Sequence, residues 1–148
     1  MSHSNEAVVR NAYAVAERKD MEGWLKLFTP DGVFTDNSIG VTYRGRDLVY
    51  PVRNFGTAFS NMHRELYHIY AADHDIVVVQ LALQGTHDGT LQTPFGELPA
   101  TGKQMNAPCC DVFELEDGRI KRFDCYPEGS VVFAQLGVLS NLAAALRH

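Results

Sequence analysis

An aspartate in the middle of a predicted strand is the residue best placed for acid/base chemistry. Asp111 lies in the apolar run of residues 108–115. Successive side chains of a strand point to opposite faces, so Asp111 shares a face with Cys109 and Phe113, while Glu114 lies on the other. Burial raises the pKa of a carboxyl group, which can then act as a general acid, a general base or an oxyanion donor. The alternative is a structural Asp111 bonded to a buried arginine or tyrosine, and the sequence leaves both open.

Asp36 and His87 are the other two candidate catalytic residues. Asp36 ends a short predicted strand, residues 33–36, between the second and third predicted helices, on the same face as Phe34. Its alternative role is that of a turn-forming aspartate before Asn37. His87 follows the predicted strand of residues 76–84 and could shuttle a proton because histidine titrates near neutral pH. Its alternative role is a hydrogen bond to neighbouring backbone.

Further side chains are predicted to contact a substrate close to Asp111. Tyr13 and Trp24 lie on the apolar faces of two predicted helices, and Asp124 lies on the strand expected to pair with that of Asp111. The alternative is core packing for the aromatic residues and contact with water for Asp124. The predicted substrate contacts are Tyr13, Trp24, Phe113, Cys109 and Asp124.

Other catalytic and metal-binding patterns do not occur in the sequence. The six histidines show no His-x-His or His-Glu-x-x-His spacing and the cysteines no Cys-x-x-Cys, so we predict no metal site. There is no glycine-rich phosphate loop and no Gly-x-Ser-x-Gly, and we predict no cofactor. No signature supports a nucleophilic Cys109 activated by His87, and a small buried cysteine is the simpler interpretation.

Helices followed by strands must position these residues. Apolar residues recur at helical spacing in residues 5–18, behind Ser4 as a cap, and again behind Asp20. A third helix, residues 48–60, tolerates Pro51 near its start. Strands are then predicted at residues 63–71, 76–84, 103–115 and 119–126, with a wide connection at 88–102 and helical periodicity at 130–146. This order indicates an α+β fold whose helices cover one face of a curled antiparallel sheet and enclose an apolar pocket.

Composition sets the class of protein and excludes several kinds of partner. The 148 residues fit a single domain, residues 1–148, and 45% hydrophobic with 21% charged residues is typical of a globular chain. The net charge of −5 comes without any cluster of lysine and arginine, so we expect neither nucleic acid nor a membrane as a partner. Three cysteines make a poor disulfide framework and no secretory signal is visible, so we expect a soluble, cytoplasmic protein.

Four stretches of the chain, in order, match the pattern of a known family. The first two carry Phe-Thr-Pro-Asp-Gly-Val-Phe with Tyr-Arg-Gly-Arg-Asp, and Gly-Thr-His-Asp-Gly with Leu-Pro-Ala-Thr-Gly-Lys. The others carry an Asp-Val-Phe before a Glu-Asp-Gly-Arg-Ile hairpin, and a Gln-Leu-Gly. These stretches are residues 28–34 with 43–47, 85–89 with 98–103, 111–120, and 135–137. On these residues the chain resembles the SnoaL-like polyketide cyclases of the nuclear transport factor two-like superfamily.

The resemblance implies a cone-shaped, curved antiparallel sheet with three or four helices on its concave face, and commonly a homodimer. In the cyclases, an aspartate matching Asp111 is the acid/base of an intramolecular aldol closure, and the histidine matching His87 lies near it. The superfamily's steroid Δ-isomerases have their base where Asp36 stands and an oxyanion-hole acid close to Asp111. Their hydroxyl donor is matched by Tyr13 about one position out of register. The epoxide hydrolases of the superfamily have an arginine at the position of Cys109, so epoxide hydrolase activity is not expected of this chain.

Two functions remain open on the sequence. The leading hypothesis is a cofactor-independent enzyme that moves a proton α to the carbonyl of a small hydrophobic compound, with Asp111 as its acid/base. The competing hypothesis is a non-catalytic module for ligand binding or dimerisation. An open cavity in which Asp111 and His87 converge favours the enzyme. A collapsed cavity, or a salt bridge between Asp111 and an arginine such as Arg122, favours the module.

Overall fold

The computed structural model describes residues 2–139 and 145–146. Within them the chain forms four α-helices and a 3₁₀ helix that leads into the third. The α-helices are α1 (Ser2–Glu17), α2 (Met21–Leu25), α3 (Tyr50–Ala58) and α4 (Gly129–Gln135), and the 3₁₀ helix is Gly45–Val49. The strands are β1 (Phe28–Asp36), β2 (Val41–Arg44), β3 (His63–Ala72), β4 (Ile76–Thr86), β5 (Leu91–Thr93), β6 (Gly96–Leu98), β7 (Gln104–Glu116) and β8 (Arg119–Pro127).

Local signals explain where the helices begin. The Asp20 side chain caps α2 by accepting a hydrogen bond from the backbone N–H of Gly23 at 2.9 Å. Pro51 lies in the first turn of α3, where its ring removes no helical hydrogen bond. Helix α1 begins at Ser2, so Ser4 lies inside the helix and the prediction that it caps α1 is wrong. The predicted apolar face of α1 is buried: Val9, Ala12, Tyr13 and Ala16.

The predicted C-terminal helix is only partly described. Helix α4 ends at Gln135, and Gly137 has a φ of 77°, a backbone conformation that glycine adopts readily at helix ends. The continuation of the predicted helix includes residues 140–144, which lie outside the described residues. No helix in the part of the chain that the structure describes is long and apolar enough to cross a membrane.

The central sheet has the strand order β2-β1-β8-β7-β4-β3. The α+β class is confirmed, and the sheet is open, because β2 and β3 are its two edges. Four of its five pairings are antiparallel, as predicted, but β1 runs parallel to β8. The pairing of β1 with β8 joins distant parts of the chain, so no hairpin between them fixes an antiparallel direction.

Three strand predictions are corrected by the structure. Strand β1 begins at Phe28 rather than at residue 33, because its register shifts between Phe28 and Val33 and the irregularity accommodates Pro30. Strand β2, which pairs with β1, was not predicted. The segment 88–102 contains the short hairpin β5–β6 instead of an open connection.

The helices lie on one side of the sheet and enclose the core. Helix α1 packs on β3 and β4, α4 packs on β7, and α2 packs on the 3₁₀ helix. Aromatic rings fill the space between these layers: Phe123 lies 4.2 Å from Phe113 and 4.4 Å from Phe34 between ring centroids. Phe113 also meets the edge of Tyr13 at 5.8 Å. These aromatic contacts fix the position of α1 relative to β7.

The end of α3 is hydrogen-bonded to the backbone of the segment after β4, and a glycine allows the close approach. The backbone N–H groups of Asp88 and Gly89 both donate to the carbonyl oxygen of Ala58, each at 3.0 Å. A Cβ at Gly89 would lie well inside van der Waals contact with the backbone carbonyl of Thr57. Glycine at this position therefore lets α3 sit close to the sheet.

We expect Gly89→Ala to lower the free energy of unfolding by about 1–3 kcal/mol, because the added methyl group overpacks a backbone contact. The matched control is Gly129→Ala at the start of α4, where the nearest atom is a Ser38 carbon at an ordinary 3.6 Å. Urea denaturation of both variants measures the difference. Equal stabilities for the two variants would contradict the account.

Candidate active site

A narrow inner cavity lies between the helices and the concave face of the sheet. Its volume is about 50 Å³ and most of its lining is apolar. Three of the lining residues, Asp36, Arg64 and Asp111, have a carboxyl or guanidinium side chain. The remaining lining residues are Ala12, Tyr13, Ala16, Trp24, Phe34, Pro51, Val52, Phe55, Leu83, Cys109, Phe123 and Cys125.

Asp111 lies on the floor of this cavity, in the middle of β7. Its residue surface is 3% exposed, and Cys109 and Phe113, on the same face, are buried as well. The alternation of burial along β7 confirms that Asp111 faces the core. The Tyr13 hydroxyl donates to Asp111 Oδ2 at 2.6 Å, and the Cys109 thiol donates to Oδ1 at 3.3 Å. Both carboxyl oxygens are therefore hydrogen-bonded from within the fold.

Burial changes the acidity of this carboxyl group. Removal from water raises the pKa of Asp111 above its usual value of 3.8, and hydrogen bonds from Tyr13, Cys125 and Cys109 and the charge of Arg64 offset only part of that rise. Burial, followed by the negative charge of Asp111, raises the pKa of Tyr13 well above 10.0. Tyr13 thus stays a hydrogen-bond donor while Asp111 holds its proton to a higher pH than an exposed aspartate does.

A bulge in β8 decides which residue of that strand faces Asp111. Glu114 pairs with Arg122 and Leu115 pairs with Ile120, so Lys121 is an extra residue in β8. The extra residue reverses the faces of the strand beyond it, and Cys125 comes to lie opposite Asp111 and lines the cavity.

Asp124 consequently lies away from the cavity, on the other face of β8. It accepts a hydrogen bond from Arg122 Nε at 2.8 Å and is not part of the cavity lining. The geometry therefore does not bring Asp124 to the other predicted substrate contacts. Arg122, the residue named as a possible partner of Asp111, is paired with Asp124 instead.

Cys109, Asp111 and Cys125 form a compact group on the cavity floor. The two sulfur atoms are 3.8 Å apart, and one ligand atom from each of the three residues lies within 4.8 Å of the others. The three could approach a metal ion together, but both thiols would first have to ionise. The hydrogen bond with Cys109, and then burial, raise the pKa of the Cys125 thiol well above its usual value. The fit to a metal is therefore poor.

Arg64 is a cavity residue that the sequence reasoning missed. It lies on β3 opposite Leu83 of β4, and both side chains line the cavity. Burial lowers the pKa of Arg64, and the charges of Glu17 and Asp111 oppose that change. The available signal was its alternation with Leu66, an apolar neighbour on the same strand face.

Asp36 stands where the inner cavity opens into a larger outer cleft. The outer cleft has a volume of about 670 Å³, and Asp36, Pro51 and Phe55 line both spaces. The Asp36 Oδ1 atom accepts hydrogen bonds from the Ser38 backbone at 2.9 Å and from the Ser38 hydroxyl at 2.6 Å. The turn role predicted as an alternative is therefore present, and it coexists with a place at the mouth of the inner cavity.

His87 is not brought to Asp111. It is fully buried beside Phe59, at 5.4 Å between ring centroids, and lines neither the inner cavity nor the outer cleft. The Thr101 backbone N–H donates to His87 Nδ1 at 3.1 Å, which places the proton of the neutral ring on Nε2. Burial lowers the pKa of this histidine. Its observed contacts match the structural alternative, and the expected convergence of His87 and Asp111 is not found.

The remaining predicted contacts divide between the cavity wall and the core behind it. Trp24 lines the cavity and donates from its ring nitrogen to the backbone oxygen of Leu48 at 2.8 Å. Phe113 is completely buried under Tyr13 and Phe123 and does not reach the cavity surface. The geometry thus brings Tyr13, Trp24, Cys109, Asp36 and Asp111 together, and leaves Phe113 as support.

Replacing Asp111 tests the raised pKa through stability. The folded state holds the Asp111 proton more tightly than the unfolded chain, so this group contributes stability below pH 3.8 that is lost as pH rises through its folded pKa. Asp111→Asn removes that loss while keeping an acceptor for Tyr13. We expect the variant and the wild type to differ least in strongly acidic solution, and the variant to gain relative stability towards neutral pH. A stability difference that is independent of pH in urea denaturation would contradict the assigned shift.

Comparison with known proteins identifies the family. Residues 9–123 match the model of the SnoaL-like domain, which is more than half of the chain. No curated protein matches the sequence.

Solved structures share the fold over most of their length. AclR from Streptomyces galilaeus, described as a candidate hydroxylase, is 21% identical with a TM-score of 0.80, covering 99% of this chain and 100% of its own. A candidate SnoaL-like polyketide cyclase from Jannaschia sp. CCS1 is 19% identical with a TM-score of 0.76, covering 90% and 92%. A protein with a ketosteroid isomerase-like fold from Catenulispora acidiphila is 21% identical with a TM-score of 0.74, covering 90% and 95%.

At these identities the structural likeness establishes the fold, and the reaction has to be argued from the site. The family match and the shared fold agree with the pattern read in the sequence. The chain belongs to the SnoaL-like domain family.

Proposed function

We propose that this protein is a cofactor-independent acid/base enzyme that acts on a small hydrophobic carbonyl compound. The reaction is a polyketide cyclase-like aldol closure or a ketosteroid isomerase-like proton transfer. The observation that carries the proposal is the buried Asp111 carboxyl group, which lines an apolar cavity and has a raised pKa. Among the described residues no lysine, arginine or histidine lies within the 4.0 Å ion-pair distance of Asp111. The proton of Asp111 is therefore free to be exchanged with a ligand.

In an aldol closure, a single carboxyl group can serve at both ends of the reaction. The Asp111 carboxylate removes the proton α to the carbonyl and leaves an enolate. The enolate carbon attacks a second carbonyl of the same molecule, and the new alkoxide takes the proton from Asp111. The Tyr13 hydroxyl holds one carboxyl oxygen at 2.6 Å throughout, so the other oxygen is directed to the ligand. The Cys109 thiol, at 3.3 Å, is a weak donor that a ligand atom can replace.

In an isomerase-like proton transfer, the two carboxyl groups that line the cavity have different roles, one as a base and the other as a hydrogen-bond donor. Asp36, at the mouth, takes the proton and returns it to another carbon of the same ligand. Asp111, kept neutral by burial, donates to the developing enolate oxygen. A reaction that needs one carboxylate as a base and one neutral carboxylic acid as a donor requires two carboxyl groups in different surroundings, as those of Asp36 and Asp111 are. The proposal gives His87 no step, since it lies outside both spaces.

The sizes of the two spaces suggest how a ligand is held. The inner cavity, at about 50 Å³, accepts only the reacting end of a molecule. The outer cleft, at about 670 Å³, falls within the range of roughly 300–1,000 Å³ common for ligand sites. Its lining includes Ile39, Tyr43, Tyr50 and Phe133, so the body of the ligand is apolar. We propose a small hydrophobic ligand whose carbonyl end enters the inner cavity past Asp36.

The competing proposal is a non-catalytic module for binding or dimerisation with the same fold. The small volume of the inner cavity is the observation in its favour. A homodimer is itself part of our proposal, on the family resemblance. It is supported by Tyr67, Tyr70 and Tyr126, which are large side chains left exposed on the described surface. The cytoplasmic location stays a prediction.

Deuterium exchange tests the enzyme without knowledge of the natural substrate. β-Tetralone in D₂O exchanges its benzylic α-protons slowly without a catalyst, and proton NMR follows the loss of their signal. We expect the wild type to accelerate the exchange and Asp111→Asn to reduce that acceleration by about 10²–10⁴-fold, the usual contribution of a positioned acid/base group.

The control is Glu114→Gln, which removes a carboxylate from the outward face of the same strand. This variant should exchange like the wild type. A rate unchanged in Asp111→Asn would remove Asp111 as the acid/base. No acceleration by the wild type with β-tetralone, or with smaller cyclic ketones with and without a carboxylate group, would favour the binding module.

A further inference from the structure

Arg64 brings a positive charge into the inner cavity without a partner in contact. Its side chain lines the same space as Asp111 and Tyr13. Among the described residues, no acceptor lies within hydrogen-bond or ion-pair distance of its guanidinium group. The guanidinium group keeps its charge at any physiological pH, and it offers five donors in a planar fork.

The nearest acidic groups are occupied elsewhere. The Glu17 carboxylate accepts the backbone N–H of Arg64 at 2.7 Å and contacts His63 Nδ1 at 2.9 Å, and it leaves the guanidinium unbound. Asp111 is held by Tyr13 and Cys109. A charge in an apolar cavity is costly unless an opposite charge meets it. Among the described residues, no acidic side chain therefore contacts the Arg64 guanidinium group inside the cavity.

We propose that Arg64 binds a carboxylate of the ligand, so that the substrate is a keto acid rather than a neutral ketone. The presence of a keto group in the ligand rests on the proposed function, whereas the presence of a carboxylate rests on Arg64 alone. A planar carboxylate matches the guanidinium fork with two parallel hydrogen bonds. A phosphate fits less well, because a dianion would meet Asp36 and Asp111 in the same small space.

The dimensions of the cavity restrict the keto acid further. Arg64 and Asp111 line one space of about 50 Å³, so the two ligand groups that they contact are separated by only a few bonds. The carboxylate and the carbonyl thus share one end of the molecule. The rest of the ligand is apolar and extends past Phe55 into the outer cleft.

Isothermal titration with benzoylformate and its methyl ester tests this inference. Benzoylformate is an aromatic keto acid with no α-proton, so it reports binding and cannot undergo the proposed proton abstraction. We expect the wild type to bind the acid at least about tenfold more tightly than the ester, which corresponds to one charge-assisted hydrogen bond or more. Arg64→Met should weaken binding of the acid by about 10–100-fold and leave the ester unchanged.

Two further variants keep the test decisive. Arg122→Met makes the same change outside the cavity, at a residue that pairs with Asp124, and should bind like the wild type. Arg64→Lys keeps the charge and loses the fork, so it should fall between the wild type and Arg64→Met. It also serves if the methionine variant does not fold. The fluorescence of Trp24, the single tryptophan of the chain, reports whether each variant keeps the cavity wall.

The outcomes separate this inference from the proposed function. Equal binding of acid and ester by the wild type, unchanged binding of the acid by Arg64→Met, or no binding of either probe at millimolar concentration would overturn it. Asp111→Asn should keep the preference for the acid even though it loses exchange activity. Full exchange activity in Asp111→Asn together with lost acid binding in Arg64→Met would overturn the function and leave the carboxylate site standing.

Discussion

The hydrogen bond between Tyr13 and Asp111 is the interaction on which the rest of the site depends. It joins residues 98 positions apart and connects the first helix to the middle of the sheet. A buried carboxyl group without partners would destabilise the fold, so helix and strand have to meet at this height. The same burial that makes the partner necessary raises the pKa of Asp111, so one contact supports both the fold and the chemistry.

The arrangement around this contact separates charges within a small apolar space. Asp36 stands at the mouth, Asp111 at the floor, and Arg64 approaches from β3 near the far edge of the sheet. The strand order places β1 and β3 on opposite sides of the β7–β8 pair, which keeps the carboxyl group of Asp36 apart from the guanidinium. A ligand with a carbonyl and a carboxylate at one end would use all three groups, and its apolar remainder would fill the outer cleft.

Regular periodicity in the sequence was enough to identify the centre of the site. β7 alternates without interruption through Asp111, and α1 keeps helical spacing through Tyr13, so both inward positions could be predicted. Asp124 was assigned to the site because its strand was expected to pair with that of Asp111. The bulge at Lys121 turns Asp124 to the other face of β8, and the sequence of a hairpin turn does not reveal such a bulge. Arg64 was overlooked because it lies on a largely exposed edge strand. The parallel pairing of β1 with β8 depends on contacts across most of the chain, which local patterns do not encode.

The protonation of Asp111 in the folded wild type tests the central claim most directly. The chemical shift of its carboxyl carbon, assigned by comparison with Asp111→Asn in ¹³C NMR, can be followed through a pH titration. The account predicts a midpoint above the usual 3.8, because burial outweighs the hydrogen bonds from Tyr13, Cys125 and Cys109. A midpoint at or below 3.8 would mean that the carboxyl group is a stabilised anion, and it would contradict the role of Asp111 as a proton-holding acid.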